Sequence, residues 1–140
     1  MLVPYAAGPF IQIATFCRDV VEQADGGVTL VGVLDAVELE PDDEGRHVAA
    51  MLAFISVRAG AMAGKHRIRI QPDRPGLLFP DGDLSAFFDG GLSGLEAQVE
   101  VVFVAVEQGL YWFEVLLDDE LLLTKIPLQI RFAAENGSAG

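Results

Sequence analysis

The chain has 140 residues, a length that suits a single domain with one hydrophobic core. Hydrophobic residues make up 51% of it and charged residues 21%, which excludes an intrinsically disordered chain. With 21 Asp and Glu against 9 Lys and Arg, the formal net charge is −12, so we expect neither nucleic acid nor a membrane surface as a partner. The pattern predicts one domain over residues 1–135 and a frayed tail over 136–140.

Residues that could carry chemistry are few. Cys17 is the one cysteine, which excludes an internal disulfide and a thiolate metal site. It could act as a nucleophile with His47 or His66 as base, but we favour a small, buried hydrophobic side chain. No pairing of a nucleophile with a base and no phosphate-binding loop is evident, so we expect no enzymatic activity and no cofactor.

The beginning of the chain lacks the features of a targeting signal. It has no basic region, and Pro4 and Pro9 interrupt it, whereas a secretory signal needs a positive start and an unbroken apolar run. No apolar stretch reaches the ~18 residues of a membrane-spanning helix. With a free thiol and an acidic composition, these features lead us to expect a cytoplasmic protein.

The hydrophobic pattern is mostly that of β-strands. It is clearest over 65–71, where Lys65, Arg67 and Arg69 alternate with apolar positions. Short helical turns are expected over residues 17–23 and after Asp83, a helix-capping residue. Turn-forming residues separate the runs, and this spacing predicts an all-β, antiparallel β-sandwich of seven or eight strands with at most short helical turns. The predicted strands are residues 10–16, 28–40, 48–57, 65–71, 97–106, 110–117 and 121–132.

Three stretches of the chain resemble a bacterial family of small β-sandwich proteins of unknown function. They are residues 14–20 (ATFCRDV), 27–33 (GVTLVGV) and 109–115 (GLYWFEV), the last followed by Ile126-Pro127-Leu128. The resemblance covers both ends of the chain and leaves out the middle. It implies the sandwich fold and brings no activity or site residues with it.

The connection over residues 73–96 is long for a compact domain and has large apolar side chains of its own. Connections of this kind are usually functional or face a partner. Its apolar residues either form a docking surface or fold back as a lid on the core, and the sequence leaves both possibilities open. The residues concerned are Leu77, Leu78, Phe79, Phe87 and Phe88.

Charged residues form two further groups. The three cations of 65–71 are expected to pair with carboxylates on a neighbouring strand, such as Glu100, rather than to bind an anion. If every strand reverses the chain, the acidic loops 41–47, 73–96 and 118–120 share one end of the sandwich. Such a cluster could bind a hard cation such as Ca²⁺, although we favour solvated turn residues. The weak candidate ligands are Asp42, Asp43, Asp81, Asp83, Asp118 and Asp119.

Several predicted strands are apolar on both faces, so part of an outer sheet face needs a cover. Trp112 and Phe113 must point to opposite faces of one strand, and we place Phe113 in the core and Trp112 outside. We therefore expect a non-enzymatic protein-interaction or assembly module whose partner is another protein or a second copy of the chain, with homo-oligomers formed through an outer sheet face. The alternative is a metal-dependent ligand-binding domain or an enzyme that uses the acidic loops.

Overall fold

The computed structural model describes residues 9–60, 63–74, 76–79, 83–89 and 94–133. Within these ranges every regular element is a β-strand, which confirms the all-β prediction. None of the described residues belongs to a helix that is long and apolar enough to cross a membrane. The tail predicted over 136–140 lies outside the described residues.

The described residues form eleven strands. In chain order they are β1 (Phe10–Cys17), β2 (Asp19–Glu22), β3 (Val28–Val31), β4 (Ala36–Leu39), β5 (His47–Arg58), β6 (Ala63–Pro72), β7 (Gly76–Phe79), β8 (Asp83–Asp89), β9 (Gly94–Ala105), β10 (Gly109–Leu117) and β11 (Leu121–Phe132). These are more than the seven or eight expected, because β2, β7 and β8 were not predicted as strands and the predicted strand 28–40 is divided into β3 and β4.

The strands form two large sheets and one separate hairpin. The four-stranded sheet has the order β1-β5-β9-β7, and the five-stranded sheet has the order β4-β11-β10-β6-β8. Neighbouring strands pair antiparallel except β4 and β11, which are parallel. The remaining strands, β2 and β3, pair only with each other.

The inward-facing side chains of the two large sheets form a single core, as expected of a sandwich. Alternation along each strand places one side chain in two in this core. The rings of Phe16 in one sheet and Phe113 in the other meet edge to face at 5.0 Å. Phe103 lies beside them, 5.3 Å from Phe113 and 5.4 Å from Tyr111. This aromatic cluster joins the sheets at the centre of the molecule.

The single strand predicted over 28–40 is wrong, because the chain bends at Gly32 and forms β3 and β4 on either side. Gly32 has a φ of +66°, and a Cβ at this position would lie 2.8 Å from Cδ of Arg18. The side chain of Arg18 thus occupies the space that a Cβ would need, and the bend at this glycine ends the strand. Val33, just beyond the bend, is 59% exposed rather than part of a buried face.

The two predicted helical turns are also wrong. Residues 17–23 contain the end of β1 and the short strand β2. Residues from Asp83 onward form β8, an edge strand that pairs with β6 over its whole length. The pairing satisfies backbone groups that a single helical turn would leave open, and it buries Phe88 in the core.

The direction of the chain explains which loops share an end. We define the first end of the sandwich by His47, which pairs with Ala105, and the second end by Leu117, which pairs with Leu121. The consecutive strands β7 and β8 belong to different sheets, and the registers show that both run from the first end toward the second. The prediction assumes that the chain reverses its direction between consecutive strands, but it does not reverse between β7 and β8. Every loop after β8 therefore lies at the end of the sandwich opposite to the predicted one.

Candidate functional site: the outer face of the five-stranded sheet

Strand β10 lies in the middle of the five-stranded sheet and divides its side chains between core and surface. Tyr111, Phe113 and Val115 are fully buried, whereas Trp112 between them is 38% exposed. The predicted orientation of these side chains is confirmed. We call the outward side chains of β6, β10 and β11 the Trp112 face.

Apolar residues occupy two parts of the Trp112 face. Leu110 is 39% exposed beside Trp112, and the register places Pro127 of β11 directly opposite Trp112. Nearer the second end, Leu116 is half-buried opposite Leu122, which is 44% exposed.

A polar row separates the two apolar parts of the Trp112 face. It runs from Lys125 through Glu114 to Gln71, and the Gln71 Nε2 donates to Glu114 Oε1 at 3.4 Å. The face is therefore amphipathic, which is the composition typical of protein interfaces.

This face also concentrates positive charge. Five of the nine cations of the chain lie on it, although the molecule as a whole is strongly acidic. They are Lys65, Arg67, Arg69, Lys125 and Arg131.

Arg67 and Arg69 form ion pairs with Asp119, in the second case with 3.6 Å between Nε and Oδ1. No carboxylate among the described residues lies within ion-pair distance of Lys65, Lys125 or Arg131.

The expected pairing of the β6 cations with Glu100 is wrong. Glu100 lies on β9 of the other sheet, where its register partner is Leu52. The partner is instead Asp119, in the turn between β10 and β11. Sequence alternation predicts which face of β6 is charged, but it cannot predict which strand lies beside it.

The turn that contains Asp119 is tied to β6 by a second, inward pair of residues. His66 Nδ1 lies 2.6 Å from Asp118 Oδ2, and His66 Nε2 lies 2.8 Å from the carbonyl oxygen of Ala63. A carbonyl oxygen only accepts hydrogen bonds, so Nε2 of His66 carries a proton and donates it. Nδ1 donates to the Asp118 carboxylate when it is protonated as well, that is, when the His66 ring is positively charged. The bond to Asp118 raises the pKa of His66, and the same bond lowers the pKa of Asp118.

Asp118 also accepts a bond from the backbone N–H of Arg67 at 2.9 Å. Both Asp118 and Asp119 have a positive φ, 54° and 62°, a conformation that Asp tolerates better than most residues. Asp118 and Asp119, two of the predicted metal ligands, are therefore structural residues of this turn.

The predicted clustering of acidic loops at one end is wrong. Asp42 and Asp43 precede β5 at the first end, whereas Asp118 and Asp119 lie at the second end. Asp42 accepts the backbone N–H groups of Glu44 and Arg46 and forms an ion pair with Arg46 at 3.0 Å, as a turn residue does.

Of the two remaining metal candidates, Asp81 lies outside the described residues, as does the side chain of Asp83. In the part of the chain that the structure describes, no three His, Cys, Asp or Glu side chains could hold a metal ion together.

The connection 73–96, predicted to be a loop, contains the strands β7 and β8. Phe88 is only 2% exposed and belongs to the core, so its prediction as a docking residue is wrong. Phe87, its neighbour on the strand, points outward and is 71% exposed opposite Lys65. The backbone of Leu78 and Phe79 pairs with β9, and their side chains lie outside the described part of the structure.

Cys17 is fully buried, as we predicted from the sequence. Burial raises the pKa of its thiol, which disfavours the thiolate that a nucleophile needs. His47, one of the two candidate bases, instead stacks on the ring of Phe132 at 3.7 Å.

Two cations of the site and two exposed valines outside it were not predicted from the sequence. Lys125 and Arg131 follow the same alternation on β11 that was recognised for β6, so the signal was present in the sequence. The exposed Val21 and Val31 of the β2–β3 hairpin were not recognised, because four-residue strands are too short to show a clear period.

Comparisons with known proteins give no family for this chain. No family model matches the sequence, and no curated protein matches it. The fold is similar to a cupredoxin domain of amoB from Nitrosocaldus yellowstonii, with 13% identity over 65% of this chain and 62% of that chain, and a TM-score of 0.38. It is also similar to the CooA pilin subunit from enterotoxigenic Escherichia coli, with 9% identity over 85% and 99% of the two chains and a TM-score of 0.38. Likenesses this distant carry no argument about function.

Proposed function

We propose that the protein is a non-enzymatic interaction module that self-associates through the Trp112 face. The observation that carries this proposal is the outward position of Trp112 on a central strand, 38% exposed beside the equally exposed Leu110. Tryptophan is the residue type most enriched among those that dominate binding energy at protein interfaces. Its apolar surface gains roughly 25 cal/mol for each Å² that a partner removes from water.

The other large sheet supports the choice of this face. In the four-stranded sheet, Phe54 occupies an outward position between Thr15 and Gln98 on the neighbouring strands, yet it is only 1% exposed. Phe54 is therefore already covered within the chain. Trp112 has no comparable cover, and a second molecule would supply it.

Electrostatics favours the same face. A net charge of −12 makes most approaches between two copies repulsive. Five cations lie on the Trp112 face, and four described carboxylates lie on or beside it: Glu38, Glu114, Asp119 and Asp73, whose Oδ1 accepts the backbone N–H of Trp112 at 3.0 Å. The described charges of this region nearly balance, so two copies repel each other less here than their net charge implies.

The substitution Trp112→Ala tests this proposal. We expect the mass in solution to fall toward the 15.0 kDa of one chain, with little change in the free energy of unfolding. The matched control is Ile13→Ala, since Ile13 has the same exposure of 38% but lies on the four-stranded sheet. A Trp112→Ala protein with the mass of the parent, or one that unfolds, would overturn the proposal.

A further inference from the structure

The β2–β3 hairpin, residues 19–31, is an arm that pairs with neither large sheet, and we call it the hairpin arm. Its base is fixed to β1: the backbone N–H of Arg18 donates to the carbonyl of Val31 at 3.0 Å, and that of Leu34 donates to the carbonyl of Phe16 at 2.8 Å. An isolated two-stranded hairpin is only marginally stable in water. The arm is thus a candidate for contact with another molecule.

One side of the hairpin arm is exposed and holds two valines beside Asp19 and Thr29. Val21 is 44% exposed and Val31 is 43% exposed, and the register places them on the same side, opposite Thr29 and Asp19 respectively. Val33, immediately after the arm, is 59% exposed. Exposed β-branched side chains on a short strand are suited to packing against the apolar part of a sheet face.

The hairpin arm also carries exposed negative charge. Asp19, Glu22 and Asp25 are exposed, and no cation among the described residues lies within ion-pair distance of them. Asp19 accepts the backbone N–H of Val20 at 2.8 Å, and Asp25 accepts that of Gly27 at 2.9 Å, so these two bonds are local to the arm. Each carboxylate has further acceptor capacity.

The Trp112 face has the complementary properties. It offers apolar surface at Leu110 and Trp112, and on the neighbouring strand β11 the cations Lys125 and Arg131, for which no described carboxylate is within ion-pair distance. We propose that the hairpin arm of one copy docks on the Trp112 face of a second copy. This inference rests on the proposed function and names the segment that covers Trp112.

A second copy of this chain is the occupant that the charges favour. An acidic, valine-rich arm and a basic, tryptophan-bearing face lie on one polypeptide, so a single gene product supplies both halves of the contact. Because the net charge of −12 opposes any contact between two acidic regions, the arm finds its most favourable surface where the cations concentrate.

Charge reversal tests the contact in both directions. The arm variant has Asp19→Lys, on the same side of the hairpin as Val21 and Val31, and the face variant has Lys125→Glu with Arg131→Glu. Each variant alone places like charges in the contact, and we expect its apparent dissociation constant for self-association to rise by roughly tenfold or more. Mixing the two variants joins a basic arm to an acidic face, and we expect the mixture to form a complex that contains one of each.

The readout is native mass spectrometry or light scattering, with Glu96→Lys as the control. Glu96 is exposed on β9 of the other sheet, so Glu96→Lys changes the net charge by the same amount as Asp19→Lys without touching the contact. Should the parent protein be a monomer, the proposed function itself fails. Should the parent associate while the arm variant associates equally well, only the docking of the arm is overturned. The arm variant alone is enough to test the docking of the arm. Neither large sheet pairs with the arm, so the substitution leaves both sheets unchanged.

Discussion

Tyr111 shows how one buried polar atom fixes a connection between the two sheets. Its ring lies in the core, and its hydroxyl donates to the carbonyl of Glu107 at 2.6 Å and accepts the backbone N–H of the same residue at 3.3 Å. The guanidinium of Arg74 lies 5.4 Å from the centre of the ring and 3.5 Å from the carboxylate of Glu107. The hydroxyl thereby pairs backbone groups that the turn before β10 leaves open.

We expect Tyr111→Phe to lower the free energy of unfolding by about 1 kcal/mol, since it removes both bonds and keeps the packing of the ring. Denaturant unfolding measures this loss. Trp112→Phe is the comparison, because it changes an outward aromatic residue on the same strand and should alter stability by no more than about 0.5 kcal/mol. Equal stability of Tyr111→Phe and the parent would show that the hydroxyl bonds contribute nothing.

His66 is the residue whose charge should affect stability near neutral pH. Its pKa is raised above 6.5 in the folded state, first by the bond to Asp118 and then by the bond to the Ala63 carbonyl. A group whose pKa is raised by folding stabilises the fold fully at pH values below its pKa in the unfolded chain. This stabilisation is lost as the pH rises through its pKa in the folded protein. The pKa of Asp118 is lowered below 3.8 in the folded protein. Its contribution to stability is therefore present above pH 3.8 and is lost as the pH falls through the pKa of the folded protein.

The pair is therefore most stabilising between the ordinary pKa values of Asp118 and His66, that is, between pH 3.8 and 6.5. We expect the parent protein to lose stability relative to His66→Gln as the pH rises above 6.5. Thermal unfolding of both proteins across this range measures the difference. A difference that does not change with pH would show that His66 titrates alike in the folded and unfolded chains.

At the scale of elements, β8 illustrates the competition between helix and strand. Its sequence places apolar residues at Leu84, Phe87 and Phe88, a spacing that suits one face of a helix as well as part of a strand. Pairing with β6 decides the outcome, since an edge strand gains a ladder of backbone bonds along its whole length. Phe87 and Phe88 consequently point to opposite faces.

We expect Phe88→Ala to cost roughly 3–5 kcal/mol in the free energy of unfolding, because it leaves a cavity in the core. Phe87→Ala, at an exposed position on the same strand, should cost no more than about 0.5 kcal/mol. Denaturant unfolding of the two variants side by side distinguishes the strand from a helix. Similar losses for both would mean that the two rings share one buried face.

The long strands were predictable from sequence, and the short ones were not. β5, β6, β9, β10 and β11 each have nine or more residues, so their alternation or their apolar content is plain. The break at Gly32 depends on the side chain of Arg18 lying where a Cβ would be, which is a tertiary contact that no local pattern shows. β7 is defined by its pairing with β9 rather than by its own residues.

The same division applies to the candidate site. The outward position of Trp112 follows from strand alternation alone, and so does the charged face of β6. The neighbours of these residues depend on the order of strands in the sheet. Because β10 lies beside β6, Asp119 rather than Glu100 pairs with the arginines.

At the scale of the whole molecule, the direction of β7 and β8 determines the distribution of charge. Since both strands run from the first end to the second, Asp42 and Asp118 lie at opposite ends. The acidic loops are thereby spread over the molecule instead of forming one cation site. The cations, in contrast, concentrate on the outer face of the five-stranded sheet.

The mass of the unmodified protein in solution tests the central claim most directly. Light scattering after size exclusion, at tens of micromolar protein, compares it with the 15.0 kDa of a single chain. We predict a stable species of at least twice that mass, because a molecule that exposes Trp112 on a central strand gains from covering it. A non-aggregating species that keeps the mass of one chain at every concentration would contradict self-association through the Trp112 face.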